Sequence, residues 1–180
     1  PTAQVQVDRC ELVTKGGRTL PLVMARPNGV IPPITPPEGL TGELVDAGDG
    51  SDDQLNQIPV KGHVVVMDYN ANMQWLKAMR LGAQAVIFVG GEQGDAFDKH
   101  YVRANANLPR YAYAGSRSDL PFGETVTIHA EAAWKRVTGR NVIAFIPGTE
   151  PEFEMGLEEA IVLSANLDSF GEFPEISPAA

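Results

Sequence analysis

The densest set of chemistry-bearing side chains is the acidic run Asp46, Asp49, Asp52 and Asp53. Calcium loops place carboxylates at positions one, three and five, with glycine at six and glutamate at twelve. Counted from Asp49, position six is Gln54 and position twelve is Val60, so the run reads as a solvated loop. Gly90-Gly91-Glu92-Gln93-Gly94 follows an apolar run and invites comparison with a phosphate-binding loop. It lacks the spacing and the lysine of such loops, and Asp95 and Asp98 would repel phosphate, so it reads as a turn. His63, His100 and His129 are far apart, whereas metal sites usually show a close ligand pair. Only Asp98-Lys99-His100 brings a histidine near a carboxylate, and these histidines read as surface residues. Ala114-Gly115-Ser116-Arg117 lacks the second glycine of a nucleophile elbow. Cys10 is the single cysteine and reads as a small buried apolar residue. No catalytic, cofactor-binding or metal-ligating residue is assigned on these patterns.

The elements that would position such groups are mostly strands. Val5, Val7 and Leu12 keep a polar-apolar rhythm, and Lys15-Gly16-Gly17-Arg18 marks a hairpin turn before Leu20 to Met24. Residues 27–39 carry five prolines, which fix φ and remove donors, so they form an extended loop. Leu40 to Val45 is a short strand. His63 to Asp68 is a continuous apolar run, as expected of a strand covered on both faces. A helix follows over Asn72 to Leu81, capped by Asn70 or Asn72, with Met73, Leu76, Met79 and the aliphatic stem of Arg80 at helical spacing and Trp75 four residues before Met79. Gly82 ends it, and Ala85 to Val89 is a second buried strand. Strand, helix and strand predict a βαβ unit with parallel strands and a right-handed crossover. Residues 92–110 read as a long surface loop, and Tyr111 to Ala114 as a short strand. Thr125 to Ala130 alternates, with Val126 and Ile128 inward. Asn141 to Ile146 and Ala160 to Ala165 are two further apolar strands, split by the acidic stretch 149–159.

With 180 residues the chain has room for one domain and a fragment of another. Its 18 glycines and 14 prolines favour turns over long helices. Lysine plus arginine (14) against aspartate plus glutamate (23) leaves a formal charge of −9, with the basic residues scattered. That balance argues against a nucleic-acid partner, which would call for a basic stripe. No apolar run approaches the ~20 residues of a membrane-spanning helix. No signal peptide is visible, and the opening at Pro1 leads us to expect that an upstream segment has been removed.

Residues 58–91 resemble the central signature of protease-associated domains: Val60-Lys61-Gly62, the strand to Asp68, the helix from Asn72, Gly82-Ala83, and the strand Ala85 to Val89. Pro36 to Val45 resembles that family's entry into this core, and Leu108-Pro109 with the strand 125–130 fits its later part. Thr138 to Gly148, with Ala160 to Ser169, resembles the first two strands of zinc aminopeptidases of the glutamate-carboxypeptidase type. The resemblance implies two parts: residues 1–138 as the protease-associated domain and 139–180 as a fragment of a peptidase-like core. The implied fold is mixed α/β, of the swivelling β/β/α kind, a β-sandwich or open barrel with a few short helices.

In the peptidase family the second strand ends in a His-x-Asp motif, whose histidine binds zinc. Here Asn166 stands at the histidine position and Asp168 at the aspartate position. An amide oxygen is a poor zinc ligand beside an imidazole nitrogen, so no metal site carries over to this chain. The expectation is a non-catalytic module of a secreted or periplasmic aminopeptidase-like protein, with zinc belonging only to an intact, active parent. Its implied partners are the peptide or protein substrates of that parent, or further copies of the chain. The loops 27–39 and 92–110 are candidate contact surfaces. The alternative is that the chain is an excised part of an active zinc aminopeptidase.

Overall fold

The computed structural model describes residues 2–25, 33–90 and 108–138. Eight strands form one sheet in the order β2-β1-β8-β4-β5-β6-β7-β3. They are β1 (Thr2–Thr14), β2 (Thr19–Pro21), β3 (Val23–Met24), β4 (Leu40–Asp46), β5 (Val64–Asp68), β6 (Ala85–Val89), β7 (Arg110–Tyr113) and β8 (Thr125–Val137).

The two ends of this sheet, β2 and β3, are separated in the chain by Leu22 alone. Segment 19–24 thus pairs with β1 through its first half and with β7 through its second. Leu22 bridges the gap by donating its backbone N–H to the carbonyl of Cys10 at 3.0 Å. At the opposite corner β4 does the same: Leu40 to Glu43 pair with β8, and Leu44 to Asp46 with β5. Two strands shared between sheet halves roll the sheet into a nearly closed barrel, which leaves few open edges.

This corrects the expected mixed α/β, swivelling β/β/α fold. Strands dominate the described residues, and the helical pieces are short: α1 (Asp52–Leu55), a 3₁₀ stretch Tyr69–Gln74 running into α2 (Trp75–Arg80), and a 3₁₀ turn Arg117–Asp119. The physical reason lies in β1 and β8, each 13 residues long and paired over nearly their whole length. Sequence rhythm revealed only parts of each, because a β-bulge between Val7 and Arg9 breaks the alternation of β1 and most of β8 beyond Ala130 is exposed.

Within the barrel one βαβ crossover is present as expected. β5 and β6 pair in parallel, Val64 opposite Ala85 through Asp68 opposite Val89. Their continuous apolar sequence is explained by two layers. Val64, Val66, Ala85 and Ile87 point into the barrel, while Val65, Met67, Val86 and Phe88 pack under the crossover with Trp75 and Ala78. Each such aliphatic side chain, fully buried, contributes roughly 1.5–3 kcal/mol.

The crossover helix departs from its expected start. Neither Asn70 nor Asn72 caps α2; Asn72 sits at a kink with φ of 50°. The buried stripe is Ala71, Trp75 and Ala78, and Met73 is exposed. The helix end is as expected. Gly82 takes φ of +87°, its N–H bonds the Met79 carbonyl at 3.0 Å, and the Ala83 N–H bonds the Ala78 carbonyl at 3.0 Å. This doubly bonded stop needs a left-handed residue, which glycine supplies without strain.

Residues 139–180, with both expected peptidase-like strands, Asn166 and Asp168, lie outside the described residues, as do residues 26–32 and 91–107.

Candidate functional site

In sheets with parallel strands, ligands settle outside the carboxyl ends of the strands. Here that end is formed by Asp46 on β4, Asp68 on β5, Val89 on β6 and Tyr113 on β7, since β6 and β7 are also parallel with Val89 opposite Tyr113. Asp46 shares its strand face with the interior residue Leu44, and Asp68 with Val64 and Val66. Both carboxylates therefore sit at the mouth of the barrel.

Arg117 fills that mouth. Its Nη1 donates to Asp46 Oδ1 and its Nη2 to Asp68 Oδ1, joining two neighbouring strand ends through one guanidinium. Asp46 Oδ1 also accepts the Gly48 backbone N–H at 2.9 Å. The loop after β4 extends the ladder: Ala47 N–H bonds the Val66 carbonyl at 2.9 Å, and Asp68 N–H bonds the Gly48 carbonyl at 2.7 Å.

The turn presenting Arg117 is held by its own acid. Asp119 Oδ2 accepts the Ser116 backbone N–H at 3.0 Å and the Tyr113 hydroxyl at 3.4 Å. Burial, and then the charge and hydrogen bond of Asp119, push the Tyr113 hydroxyl above its ordinary pKa, so it stays a neutral donor. Gly115 makes room for this arrangement, because a Cβ there would lie 2.4 Å from the Tyr113 hydroxyl oxygen.

The acidic run is dispersed by the fold. Asp46 goes to Arg117, Asp49 accepts the Ser51 N–H at 2.9 Å, and Asp52 pairs with Lys77 at 2.7 Å. The hydrogen bonds from Ser51 hold the Asp49 carboxyl below the usual carboxylate range. Among the described residues no group of three or more histidine, cysteine, aspartate or glutamate side chains converges as metal ligands would.

The histidines are not drawn together. His63 precedes β5, at the end opposite the mouth, and its Nδ1 lies 2.8 Å from the Lys61 carbonyl oxygen. Five residues of strand at ~3.3 Å each put it roughly 16 Å from the Arg117 clamp. His129 lies on β8 and lines, with Val13, Thr14, Lys15, Thr125 and Thr127, an open groove of about 370 Å³. Ser116 Oγ sits 2.8 Å from Ser118 Oγ and has no histidine beside it among the described residues. Burial, then the charge of Glu11, pushes the Cys10 thiol up to about 12, which keeps it protonated and unreactive at neutral pH.

Two positioned side chains escaped sequence reasoning. Arg117 was legible only as the end of a failed nucleophile motif; the signal for it was a pair of acids closing adjacent buried strands. Arg110, expected in a surface loop, is fully buried at the start of β7 and stacks 4.0 Å from the centroid of the Trp75 ring. The proline-rich loop is likewise tied down at its end. The buried Tyr111 hydroxyl, its pKa raised by burial, donates to the Pro33 carbonyl at 2.8 Å, and Thr35 bonds Ala130 through both N–H and hydroxyl. Pro33 and Thr35 are thus tied to the barrel, while Ile34, Pro36, Pro37 and Glu38 are exposed.

No family model and no curated protein matches the chain. Among 42 solved chains that match is an aminopeptidase from Aneurinibacillus sp. strain AM-1, 15% identical over 74% of this chain, with a TM-score of 0.47. The match covers 35% of that aminopeptidase, so this chain spans about a third of its length. No helix among the described residues is long and apolar enough to cross a membrane.

Proposed function

We propose that this chain is a protease-associated, non-catalytic module of a secreted or periplasmic zinc aminopeptidase-like protein, and that it shapes peptide access or holds protein contacts there. One observation carries the reading. The residues that bear the sequence resemblance form the parallel pair β5–β6 with its short crossover, and Arg117 ties the end of β5, at Asp68, to the end of the neighbouring β4, at Asp46. Each carboxylate gives one oxygen to Arg117, and together they help to hold two neighbouring strand ends in place. Such a clamp suits a rigid scaffold that presents surface and loops.

The reading is tested by incubating the full chain with a panel of unblocked peptides and added zinc, then analysing the peptides by mass spectrometry. The expected result is recovery of every peptide at its starting mass. Progressive loss of amino-terminal residues overturns the proposal in favour of an active aminopeptidase.

A further inference from the structure

β1 and β8 run on together beyond the barrel as a two-stranded ribbon, down to Thr2 opposite Val137. Beyond Ala130, β8 pairs with β1 alone among the described residues, because β4 reaches only to Ile128 and Thr35 only to Ala130. Thr35 shows which groups line the outer edge. Its N–H donates to the Ala130 carbonyl at 2.9 Å, and its hydroxyl oxygen accepts the Ala130 N–H at 3.1 Å. Backbone groups alternate sides along a strand, so those of Ala132 and Trp134 also point outward, while those of Glu131, Ala133 and Lys135 face β1.

The two faces of this stretch differ. Ala132 packs against the barrel core, and Trp134 continues the same face at 54% exposure, with Val5 opposite it on β1. The other face carries Glu131, Ala133 and Lys135, all exposed. Glu131 has a distant ion pair, 3.7 Å to Arg9 Nη1. Lys135 makes no ion pair among the described residues.

We propose that this edge pairs with the same edge of a second copy of the chain, antiparallel about a two-fold axis through Ala133. Ala132 then faces the second copy's Trp134, and Trp134 its Ala132, each pair exchanging both backbone hydrogen bonds because these residues point outward. The small Ala132 leaves room for the indole opposite. Glu131 lies directly across from Lys135, twice by symmetry, in the closer positions without backbone bonds, where opposite charges attract. A register centred on Trp134 would instead set Glu131 against Val137 and Lys135 against Ala133, so charge selects Ala133. Thr35 already occupies the edge at Ala130, the position that would meet Arg136, and thereby ends the pairing at Glu131 and Lys135.

Charged side chains commonly keep an open edge from pairing. Here one register turns them into attraction, and a self-complementary patch is what a two-fold dimer requires. Pairing over residues 131–135 buries less than a stable interface needs, so the dimer is weak and forms only at high concentration. This inference does not depend on the proposed function, since it concerns only the edge of β8.

The test is sedimentation velocity of the full chain from micromolar to near-millimolar concentration. The expected result is a monomer that becomes a dimer and grows no further. Lys135→Glu sets carboxylates against each other, and Glu131→Lys sets ammonium groups against each other. Symmetry changes two contacts at once, so each variant alone should associate roughly tenfold more weakly than the parent. Mixed in equal amounts, the two variants restore both opposite-charge pairs and should associate close to the parent's strength, which a misfolded variant could not do. Three results overturn the proposal: a parent that stays monomeric throughout, a Lys135→Glu variant that dimerises like the parent, or a mixture no stronger than its separate components.

Discussion

Replacing Arg117 by methionine keeps much of the aliphatic stem and removes the guanidinium that joins Asp46 to Asp68. The side chains of Arg117, Asp46 and Asp68 are 28%, 40% and 50% exposed, so water screens both ion pairs. Exposed pairs contribute about 0.2–1 kcal/mol each. These two share one guanidinium that is ordered once for both, and its loss leaves two carboxylates facing each other at the barrel mouth. We therefore expect Arg117→Met to cost ~1–2 kcal/mol, near the upper end for two such pairs. At about 2–4 °C per kcal/mol for a chain of this size, the melting temperature falls by roughly 2–8 °C. The assay is thermal and urea unfolding followed by circular dichroism, with Asp68→Asn made in both backgrounds as a double-mutant cycle. In 1 M salt, where the screening length shrinks to ~3 Å, the difference should narrow. A variant as stable as the parent, with no coupling to Asp68, would refute the view that this clamp secures the strand ends.

Other outcomes follow from the same packing. Trp75→Ala removes a fully buried indole and strips Arg110 of its stacking face, so unfolding free energy should drop by about 3–5 kcal/mol, measured by urea denaturation. Tyr111→Phe leaves the buried Pro33 carbonyl without its donor and should cost about 1–3 kcal/mol, again by denaturation. For Cys10 the folded pKa of about 12 lies above the ordinary 9.0, so the neutral thiol is favoured on folding. Its contribution to stability is whole below pH 9 and is lost as pH climbs toward 12. Alkylation at pH 8 should accordingly run about a thousandfold slower in the folded chain than in denaturant, followed by mass spectrometry.

What could be read from the sequence was what local physics controls. The runs Val64 to Asp68 and Ala85 to Val89 are apolar at every position but the last of the first, and such runs have one comfortable home, between two layers. Gly82 was equally legible, since a left-handed stop after a short helix demands its lack of a side chain. The start of that helix was not: Asn72 has the chemistry of a cap, yet the chain kinks there to bring Trp75 over Arg110. The barrel itself was hidden because closure depends on single strands serving two partners. Nothing in Thr19 to Met24 announces that its halves pair with β1 and β7. Arg117 was concealed for the same reason, its partners lying 71 and 49 residues away. Long-range pairing leaves no periodic trace.

We propose that this polypeptide brings scaffold and not catalytic metal chemistry. Isothermal titration of zinc into the full chain at neutral pH tests it most directly. Our account predicts heats no larger than those of weak, non-saturating surface association, whereas tight, stoichiometric zinc uptake would contradict it.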